Sequence, residues 1–526
     1  MQVFFAAAQP TDYSKIVDPF IGTGGHGHTF PGAVVPFGMV QLSPDTRLEG
    51  WDGCSGYHYS DSVIYGFSHT HLSGTGCSDY GDVLIMPMMG NSSFDNKIYS
   101  SKFSHTKEKA HAGFYKVHLD DDDIDVELTT TTRVGFHKYT FNKSGKVHFI
   151  LDLLHRDKLL EGRILDVANN NKAIEGFRRS EAWAKDQRLY FRIEFSREIL
   201  LKQRLQEFMR PGQETKGAFS FDVKKGETIF VKVSLSAVDY EGAKKNMEAE
   251  LPGWDFEKTK QQAEALWNKE LSKIQVKGGT RDQQIIFYTA LYHCFIHPSI
   301  YNDVDGRYLG RDFQIHHADS FNYYTVFSLW DTFRALHPLF NMVQRERNLD
   351  FIKTFLEQYK QVGILPMWEL SSNETNCMIG YHAVSVIADA YAKGIRGFDL
   401  DLAIEACEKS AKYAHFGIPQ YREKGFLETE DENESVSKTL EYAYDDWCID
   451  QLKFFRSGRS KNEDYIFEKG SYSWRNLFNS QSGFMQPRSN GGWYKPFNPT
   501  EVNNNYTEAN AWQYSFFVPH QVNGLR

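Results

Sequence analysis

The chain has 526 residues, of which 41% are hydrophobic and 24% charged, and its formal net charge is −9. Because a single core stops growing at roughly 250–300 residues, this length predicts two or more domains. The composition excludes disordered, collagenous and fibrous proteins. The lack of a long apolar run argues against a membrane span, and the net acidity argues against nucleic-acid binding. Aromatic residues reach 15%, which fits either aromatic-rich cores or sugar-stacking surfaces.

The N-terminal residues and the cysteines bear on the compartment. Residues 3–8 read VFFAAA, similar to the end of a signal-peptide apolar region with a small-residue cleavage site, although the basic start is missing. We therefore predict an exported protein, periplasmic, cell-surface or secreted, with residues 1–10 a signal-peptide remnant or tag. The six cysteines include no CxxC pair, which argues against a zinc ribbon or a thioredoxin-like site, and six in 526 residues are too few for a disulfide scaffold.

Residues 11–254 are predicted to form an antiparallel β-sandwich. Short alternating or β-branched runs occur at 114–119, 134–139, 147–151, 189–195 and 228–235, and turn signals at 142–145 and 224–226 separate some of them. Many short strands at this spacing are typical of a sandwich. The acidic run at 120–123 is interpreted as a solvated turn rather than a cation site.

From about Trp254 the hydrophobic period becomes helical. An amphipathic helix at 256–273, with Ala263, Leu266 and Leu271 on its apolar side, is predicted to lie in a linker over 255–280. Further helices are predicted at 282–297, 349–361, 376–393 and 435–455, the third ending at Gly394. Ile286, Ala290, Leu291 and Cys294 are expected on the apolar face of the first of these. Residues 281–526 are thus predicted to form a helical domain, with its helical hairpins in a toroid.

Two glycine- and histidine-rich motifs have competing interpretations. Residues 22–27 match the dinucleotide pattern GxGxxG, but flanking prolines at 19 and 31 do not allow the required strand and helix. A structured glycine loop that reaches into a site is the better interpretation. The HxH pairs His26/His28 and His69/His71 could each supply two zinc ligands, but no third ligand is evident. Polar site-lining or internally hydrogen-bonded histidines are favoured.

Three segments carry carboxylates that are candidate catalytic or sugar-binding groups. Asp331 and Arg334 could pair on one helix face, or Asp331 could accept two sugar hydroxyls beside the flat wall of Trp330. Asn373 is a plausible helix cap, and Trp368 with Glu369 repeats the aromatic-plus-carboxylate theme.

The third of these segments carries Glu508. Thr507 is predicted to cap a helix there, which would place Glu508 in its first turn. The helix dipole would lower the pKa of this carboxyl. A general acid needs the opposite shift, from burial or from a neighbouring carboxylate.

Seven motifs together resemble glycoside hydrolase family 92, in that family's order and from Tyr13 to the last residue. They are Asp18-Pro-Phe-Ile-Gly-Thr-Gly-Gly-His-Gly-His-Thr-Phe-Pro-Gly-Ala33, Cys54-Ser-Gly-Tyr-His-Tyr59, Phe67-Ser-His-Thr-His-Leu-Ser-Gly-Thr-Gly76, Ser328-Leu-Trp-Asp-Thr-Phe-Arg334, Asn373-Glu-Thr-Asn-Cys-Met-Ile-Gly-Tyr-His382, Ser435-Val-Ser-Lys-Thr-Leu-Glu-Tyr-Ala-Tyr-Asp-Asp446 and Tyr506-Thr-Glu-Ala-Asn-Ala-Trp512. The family comprises calcium-dependent, inverting, exo-acting α-mannosidases of bacteria that degrade N-glycans or mannan.

The resemblance implies a β-sandwich, a helical linker and an (α/α)6 toroid, with the active site between the two domains. By motif position Glu508 is the general acid, and Asp331 contacts hydroxyls of the terminal mannose. Trp51 is an expected aromatic wall, and the glycine loop around Gly25 is expected to reach the sugar. Arg334 and Glu374 are expected to line the site.

The resemblance also implies parts that the family places after the Tyr506–Trp512 motif. An inverting enzyme needs a second carboxylate about 6.5–9.5 Å from the acid. The family's base and most of its calcium ligands are expected beyond Arg526, so the helical toroid is predicted to be incomplete in this chain. The hypotheses are therefore an α-mannosidase, a catalytically inactive truncated fragment, or a carbohydrate-binding protein.

Overall fold

The structure is a computed structural model that describes residues 11–206, 214–457 and 465–526. It divides into two compact units. One runs to Leu309 and adds Ile315–Asp319, and the other comprises Gly310–Gln314 and Ser320–Arg526. The predicted signal-peptide remnant at residues 1–10 lies outside the described residues. The linker over 255–280 stays a prediction.

The first unit contains two antiparallel sheets. The seven-stranded sheet has the order β1-β2-β4-β5-β11-β16-β15, and the eight-stranded sheet has the order β12-β13-β14-β17-β10-β9-β8-β7. The strands of this unit are β1 (Ala33–Val34), β2 (Gln41–Asp45), β3 (Val63–Ile64), β4 (Gly66–Ser68), β5 (Leu84–Met89), β6 (Ser101–Lys102), β7 (Lys109–His111), β8 (Phe114–Leu119), β9 (Ile124–Thr130), β10 (Val134–Phe141), β11 (Gly145–Asp152), β12 (Lys158–Asp166), β13 (Ala173–Glu181), β14 (Gln187–Phe195), β15 (Leu201–Gln206), β16 (Glu214–Val223), β17 (Thr228–Ser236), β18 (Ser299–Ile300), β19 (Arg307–Leu309) and β20 (Ile315–His317).

One apolar core lies between these sheets and makes them a sandwich. Rings from both sheets meet in it. Tyr139 of β10 lies edge-on to Phe149 of β11, with 5.0 Å between ring centroids, and Phe195 of β14 lies 5.4 Å from the same Phe149 ring. All five segments predicted as strands are strands, so the predicted β-sandwich is confirmed. The acidic run at 120–123 forms the turn between β8 and β9.

Four helices complete the first unit: α1 (Asn96–Tyr99), α2 (Tyr240–Glu250), α3 (Phe256–Leu271) and α4 (Arg281–Cys294). The existence of α3 and α4 was predicted correctly, but part of each predicted apolar face is wrong. Leu266 is 45% exposed, because the buried stripe of α3 follows Ala263, Trp267 and Leu271. Ile286 is 58% exposed, and Ala290 is exposed as well, because α4 buries its tyrosine face instead.

The second unit is predominantly helical. Its helices are α5 (Leu329–Thr332), α6 (Leu336–Val343), α7 (Arg345–Val362), α8 (Ala383–Ala392), α9 (Leu400–Ser410), α10 (Ile418–Lys424), α11 (Ser435–Ser457), α12 (Ile466–Gly470), α13 (Ala511–Tyr514) and α14 (Val522–Leu525). Short strands connect them: β21 (Tyr324–Thr325), β22 (Phe327–Ser328), β23 (Trp368–Leu370), β24 (Asn373–Glu374), β25 (Phe478–Asn479), β26 (Phe484–Met485), β27 (Arg488–Ser489) and β28 (Gly492–Trp493).

The helix predicted over 376–393 begins later than expected. It starts at Ala383, and Gly394, with φ of 80°, follows its end as predicted. In the parts of the chain that the structure describes, no helix is both long enough and apolar enough to cross a membrane. The arrangement of the helices as an (α/α)6 toroid stays a prediction.

Candidate active site

Asp331 occupies the short helix α5, where its carboxylate is exposed and accepts a hydrogen bond from the Ser328 hydroxyl. The alternative of an Asp331–Arg334 pair is wrong. Arg334 instead lies 3.2 Å from Glu441 and donates to the carbonyl of Trp330. Its guanidinium also stacks on the Trp330 ring at 4.8 Å. Among the residues that the structure describes, no cationic side chain pairs with the Asp331 carboxylate, which is exposed and can accept from a hydroxyl-bearing ligand.

Glu508 lies in a turn rather than in a helix, so the predicted Thr507 cap is wrong. Asn510 caps α13 and forms a capping box with Gln513. The Thr507 backbone N–H donates to Ser437 Oγ at 2.8 Å instead. With Asn510 as the cap, Glu508 precedes the helix, and a helix-dipole interpretation of its carboxylate has no basis.

The backbone of Glu508 is left-handed, with φ of 49°, and its side chain is exposed. A non-glycine residue in this region costs of order 1 kcal/mol and persists only when its surroundings hold it. Tyr506 and Ala509 on either side are buried in one apolar cluster with Leu440 and Tyr514. Packing of these neighbours holds the turn and presents the carboxylate outward.

The charges of both Asp331 and Glu508 act on the Cys377 thiol. Burial is the main cause that raises the pKa of the Cys377 thiol to about 11; a backbone hydrogen bond at Met378 opposes this shift, and the charges of Asp331, Glu508 and Glu434 add smaller upward shifts. The segments of these two residues also meet at Glu441, where Trp330 Nε1 and the Tyr514 hydroxyl donate to the same carboxylate oxygen at 3.2 and 3.0 Å. The sequence could not show this proximity, because the residues come from segments far apart in the chain.

The contacts of Glu374 stabilise the hairpin in which it lies. It sits in the β23–β24 hairpin, where its carboxylate accepts from the backbone N–H groups of Met367, Trp368 and Asn376 at 2.8–3.2 Å. Arg311 lies 3.2 Å from it. These contacts favour hairpin stabilisation over sugar contact. Its site-lining role stays a prediction.

The rest of the hairpin is structural as well. The predicted Asn373 cap is wrong, because Asn373 is in β24 and donates to the Ser371 carbonyl. Glu369 is fully buried and accepts from Thr325 and Ser372. Burial raises the pKa of Glu369 to about 7.

Helix α11 supplies buried carboxylates that the sequence interpretation did not single out. Glu441, Asp445 and Asp446 are all fully buried. His382 lies between Glu441 at 2.7 Å and Asp445 at 2.9 Å. Burial alone would lower the pKa of His382, but these two carboxylates raise it to about 9. The spacing of four residues between Glu441 and Asp445, which places both on one face of the helix, was the available signal.

In the first unit, Trp51 and the glycine loop form one cluster. Trp51 is 58% exposed on a 3-10 turn, and the His28 ring lies edge-on to its indole with 4.2 Å between centroids. His26 lies 2.6 Å from Asp52. Gly25 has φ of 56° and its carbonyl lies 3.1 Å from His58 Nε2. The loop is irregular, as expected from its prolines, and its histidines have protein partners.

A cavity of about 490 Å³ adjoins Trp51 in the same unit. Trp183, 38% exposed, is a second tryptophan in its lining, together with Arg156 and Asp157. Arg156 donates to the backbone carbonyls of Gly53 and Cys54 and so fixes the turn that carries Trp51. Two indole faces beside polar groups suit a pyranose ring. Trp183 was not predicted, since a lone tryptophan has no distinguishing sequence pattern.

A second cavity, of about 410 Å³, lies in the second unit beside the segment that leads to Glu508. Its lining is polar: Thr429, Glu432, Asn433, Tyr494, Glu501, Asn503, Asn504 and Asn505. The N–H groups of Glu434 and Val436 donate to the carbonyls of Asn504 and Asn505 at 2.6 and 3.2 Å. These bonds fasten the asparagine run to the start of α11. Side-chain amides and hydroxyls of this kind can bind sugar hydroxyls.

A calcium ion needs several oxygen ligands close together, usually including carboxylates. Over 11–206, 214–457 and 465–526, no group of three or more His, Cys, Asp or Glu side chains could hold a metal ion. His69 and His71, one of the two HxH pairs, are instead hydrogen-bonded within the sandwich core. Calcium stays a predicted cofactor, and no step below depends on it.

The family comparisons agree with this architecture. The model for the glycosyl hydrolase family 92 N-terminal domain matches residues 16–236, and the model for the catalytic domain of that family matches residues 242–526. The chain belongs to glycoside hydrolase family 92.

Solved family 92 structures are similar over nearly the whole chain. An α-mannosidase of Bacteroides thetaiotaomicron, solved with mannoimidazole, is 37% identical with a TM-score of 0.93, covering 98% of this chain and 72% of that one. An inverting mannosidase of the same organism is 27% identical with a TM-score of 0.89, covering 99% and 73%. A protein of Arthroderma benhamiae, described as an uncharacterized secreted glycosidase, is 27% identical over 99% of this chain and 72% of its own length. The family 92 chain is thus a glycoside hydrolase with α-mannosidase relatives.

Proposed function

We propose that this family 92 protein is an exo-acting, inverting α-mannosidase that removes terminal α-linked mannose from N-glycans or mannan. The observation that carries the proposal is that the segments of Asp331 and Glu508 meet at Glu441, whose Oε1 accepts from Trp330 Nε1 at 3.2 Å and from the Tyr514 hydroxyl at 3.0 Å. A mannose-configured inhibitor bound to a relative that is 37% identical supports the choice of sugar. Export is proposed on the secreted relative.

In the proposed reaction Glu508 is the general acid. Its protonated carboxyl donates to the glycosidic oxygen as the bond to the anomeric carbon breaks, so the departing sugar leaves as a neutral alcohol. An exposed carboxylate on a rigid turn can approach that oxygen without rearranging the fold. Inversion also requires a base that activates water, and we assign that role to no described residue.

Asp331 is proposed to bind the terminal mannose. A carboxylate can accept two hydroxyl groups, and vicinal hydroxyls of a hexose have the right spacing for this. Trp330 and Trp51 are proposed as apolar surfaces for the C–H-rich ring faces. Gly25 is proposed to bring backbone close to the sugar, since it has no side chain to obstruct it.

Mannose release from α-linked mannobioses tests this function. We expect wild-type protein to release mannose and the Asp331→Asn variant to lose about 10- to 100-fold in kcat/KM, since a hydrogen bond to a charged group contributes about 1.5–3 kcal/mol. Asp401→Asn, at an exposed position on α9, is the matched control and should leave the rate unchanged. A chelator added to wild type tests the calcium prediction. Tight mannoside binding without release of mannose would instead support a carbohydrate-binding protein.

The polar cavity next to Glu508 is proposed to hold the sugar beyond the scissile bond. Replacing Asn503 and Asn505 by alanine is expected to raise KM about 10-fold for a mannotriose while leaving an aryl mannoside almost unaffected, because only the oligosaccharide reaches this cavity. Asn490→Ala, outside the cavity lining, serves as the control. An equal effect on both substrates would contradict the assignment.

A further inference from the structure

Glu441 has an unusual set of hydrogen-bond donors for one buried side chain. Its Oε1 accepts from Trp330 Nε1 at 3.2 Å, from Arg334 Nη2 at 3.2 Å and from the Tyr514 hydroxyl at 3.0 Å. The side chain is fully buried. A buried carboxylate is stable only when its oxygens are paired, and here three separate side chains pair with one oxygen.

The second oxygen completes a charge-balanced cluster. Oε2 of Glu441 lies 2.7 Å from His382 Nε2, and His382 Nδ1 lies 2.9 Å from Asp445. The imidazole also stacks on Phe333, with 3.9 Å between ring centroids. Two carboxylates thus face the imidazolium of His382 and the guanidinium of Arg334. Each partner neutralises another, so loss of one leaves a buried charge unpaired.

The donors to Glu441 come from the segments on which the reaction depends. Trp330 and Arg334 flank Asp331 in and after α5, whereas Tyr514 ends α13, which follows Glu508. Both helices have only four residues. Helices of this length do not hold their own geometry. Their positions must therefore be set by contacts such as those with Glu441.

We propose that Glu441 is a positioning residue of the mannosidase reaction, because its carboxylate joins the segment that carries Asp331 to the segment that carries Glu508. The proposal rests on the function proposed above. Because Glu441 is fully buried, we assign it no contact with the substrate or the reacting atoms. It fixes the separation between the sugar-binding carboxylate and the acid, and a misplacement of about 1 Å between such groups can cost 100-fold in rate.

Asp446 provides a matched comparison on the same helix. It is also fully buried, and it pairs with both terminal nitrogens of Arg422 at 2.6 Å and with the hydroxyls of Tyr381 and Tyr421 at 2.8 and 3.0 Å. None of these partners belongs to the segments of Asp331 or Glu508. A variant at Asp446 removes a comparable buried pair from α11 without breaking the connection.

The kinetic test compares Glu441→Gln with Asp446→Asn. Both are expected to lower the unfolding temperature by a similar amount. Assayed well below that temperature, Glu441→Gln should lose about 100-fold in kcat with a smaller change in KM, and Asp446→Asn should stay within about 3-fold of wild type. Equal activity loss in both variants, or wild-type kcat in Glu441→Gln, would overturn the proposal.

The reactivity of Cys377 gives a readout that does not depend on turnover. Burial and, after it, the charges of Asp331, Glu508 and Glu434 raise the pKa of this thiol, so separation of the segments, which would lessen both effects, should make it more reactive. We expect iodoacetamide to label Cys377 several-fold faster in Glu441→Gln than in wild type or Asp446→Asn, with Cys294 in the other unit as the internal reference. If wild type releases no mannose, the proposed function fails. The labelling rates then still decide the positioning proposal, and unchanged labelling would refute it.

Discussion

A Glu508→Gln variant is expected to lose mannoside turnover by about 100- to 10,000-fold while it keeps its affinity for mannoimidazole. Glutamine has the same shape, so it can occupy the left-handed turn at φ of 49° as glutamate does. It cannot donate a proton to the glycosidic oxygen as an acid does. The loss should therefore appear in kcat and not in inhibitor binding.

The leaving group distinguishes acid catalysis from a general defect. A dinitrophenyl mannoside needs little protonation on departure, so Glu508→Gln should recover most of its activity on that substrate and little on mannobiose. Glu423→Gln, at an exposed glutamate on α10, should behave as wild type on both. An equal loss on both substrates would remove Glu508 from the acid role. Full retention of activity on mannobiose would do the same.

Acid is expected to destabilise the β-sandwich through two buried histidines. His69 Nε2 lies 2.9 Å from His137 Nε2, while His69 Nδ1 lies 2.7 Å from the Val83 carbonyl and His137 Nδ1 lies 2.8 Å from the Tyr139 hydroxyl. The carbonyl requires a proton on His69 Nδ1, so His137 Nε2–H donates to His69 and the Tyr139 hydroxyl donates to His137. Both rings are thus neutral, and a further proton would set two N–H groups against each other.

The direction in which pH changes the free energy of unfolding follows from the pKa shifts of the buried histidines. Burial lowers the pKa of His69 to about 3 and lowers that of His137 well below its usual range. The unfolded chain takes up these protons near pH 6.5, so the stability is fully present above pH 6.5 and is lost as the pH falls below it. At pH 5 the loss is about 2 kcal/mol for His69, and His137 changes stability in the same direction. His382 acts oppositely, since its pKa is raised to about 9; its contribution is full below pH 6.5 and is lost as the pH rises through 9.

Urea unfolding from pH 7 to pH 4.5 measures this effect. The free energy of unfolding should fall steeply below pH 6.5. His137→Gln should reduce that slope by about one proton, whereas His415→Gln, at an exposed histidine, should leave it unchanged. A flat profile in wild type, or an identical slope in His137→Gln, would contradict the assignment of neutral buried rings.

Strands and helices with a regular hydrophobic period were predicted correctly, whereas the helix caps predicted from single polar residues were wrong. Strands such as β10 and β17 and helices such as α7 and α11 follow directly from alternation and helical spacing. The caps at Asn373 and Thr507 failed because a short polar side chain is equally suited to a hairpin or a turn. Other contacts fix both segments in the folded chain. Next to Asn373, Glu374 pairs with Arg311 and accepts from backbone N–H groups, and the N–H of Thr507 donates to Ser437.

The sequence by itself determined the family, the β-sandwich followed by helices, and Asp331 and Glu508 as the leading candidates, because ordered motifs and hydrophobic periods are local properties. Only the tertiary structure showed that the segments of these two carboxylates meet at Glu441. It also moved Glu508 from a helix to a strained turn. Such features depend on which distant segments pack together, and side-chain burial and pairing fix that only in the folded chain.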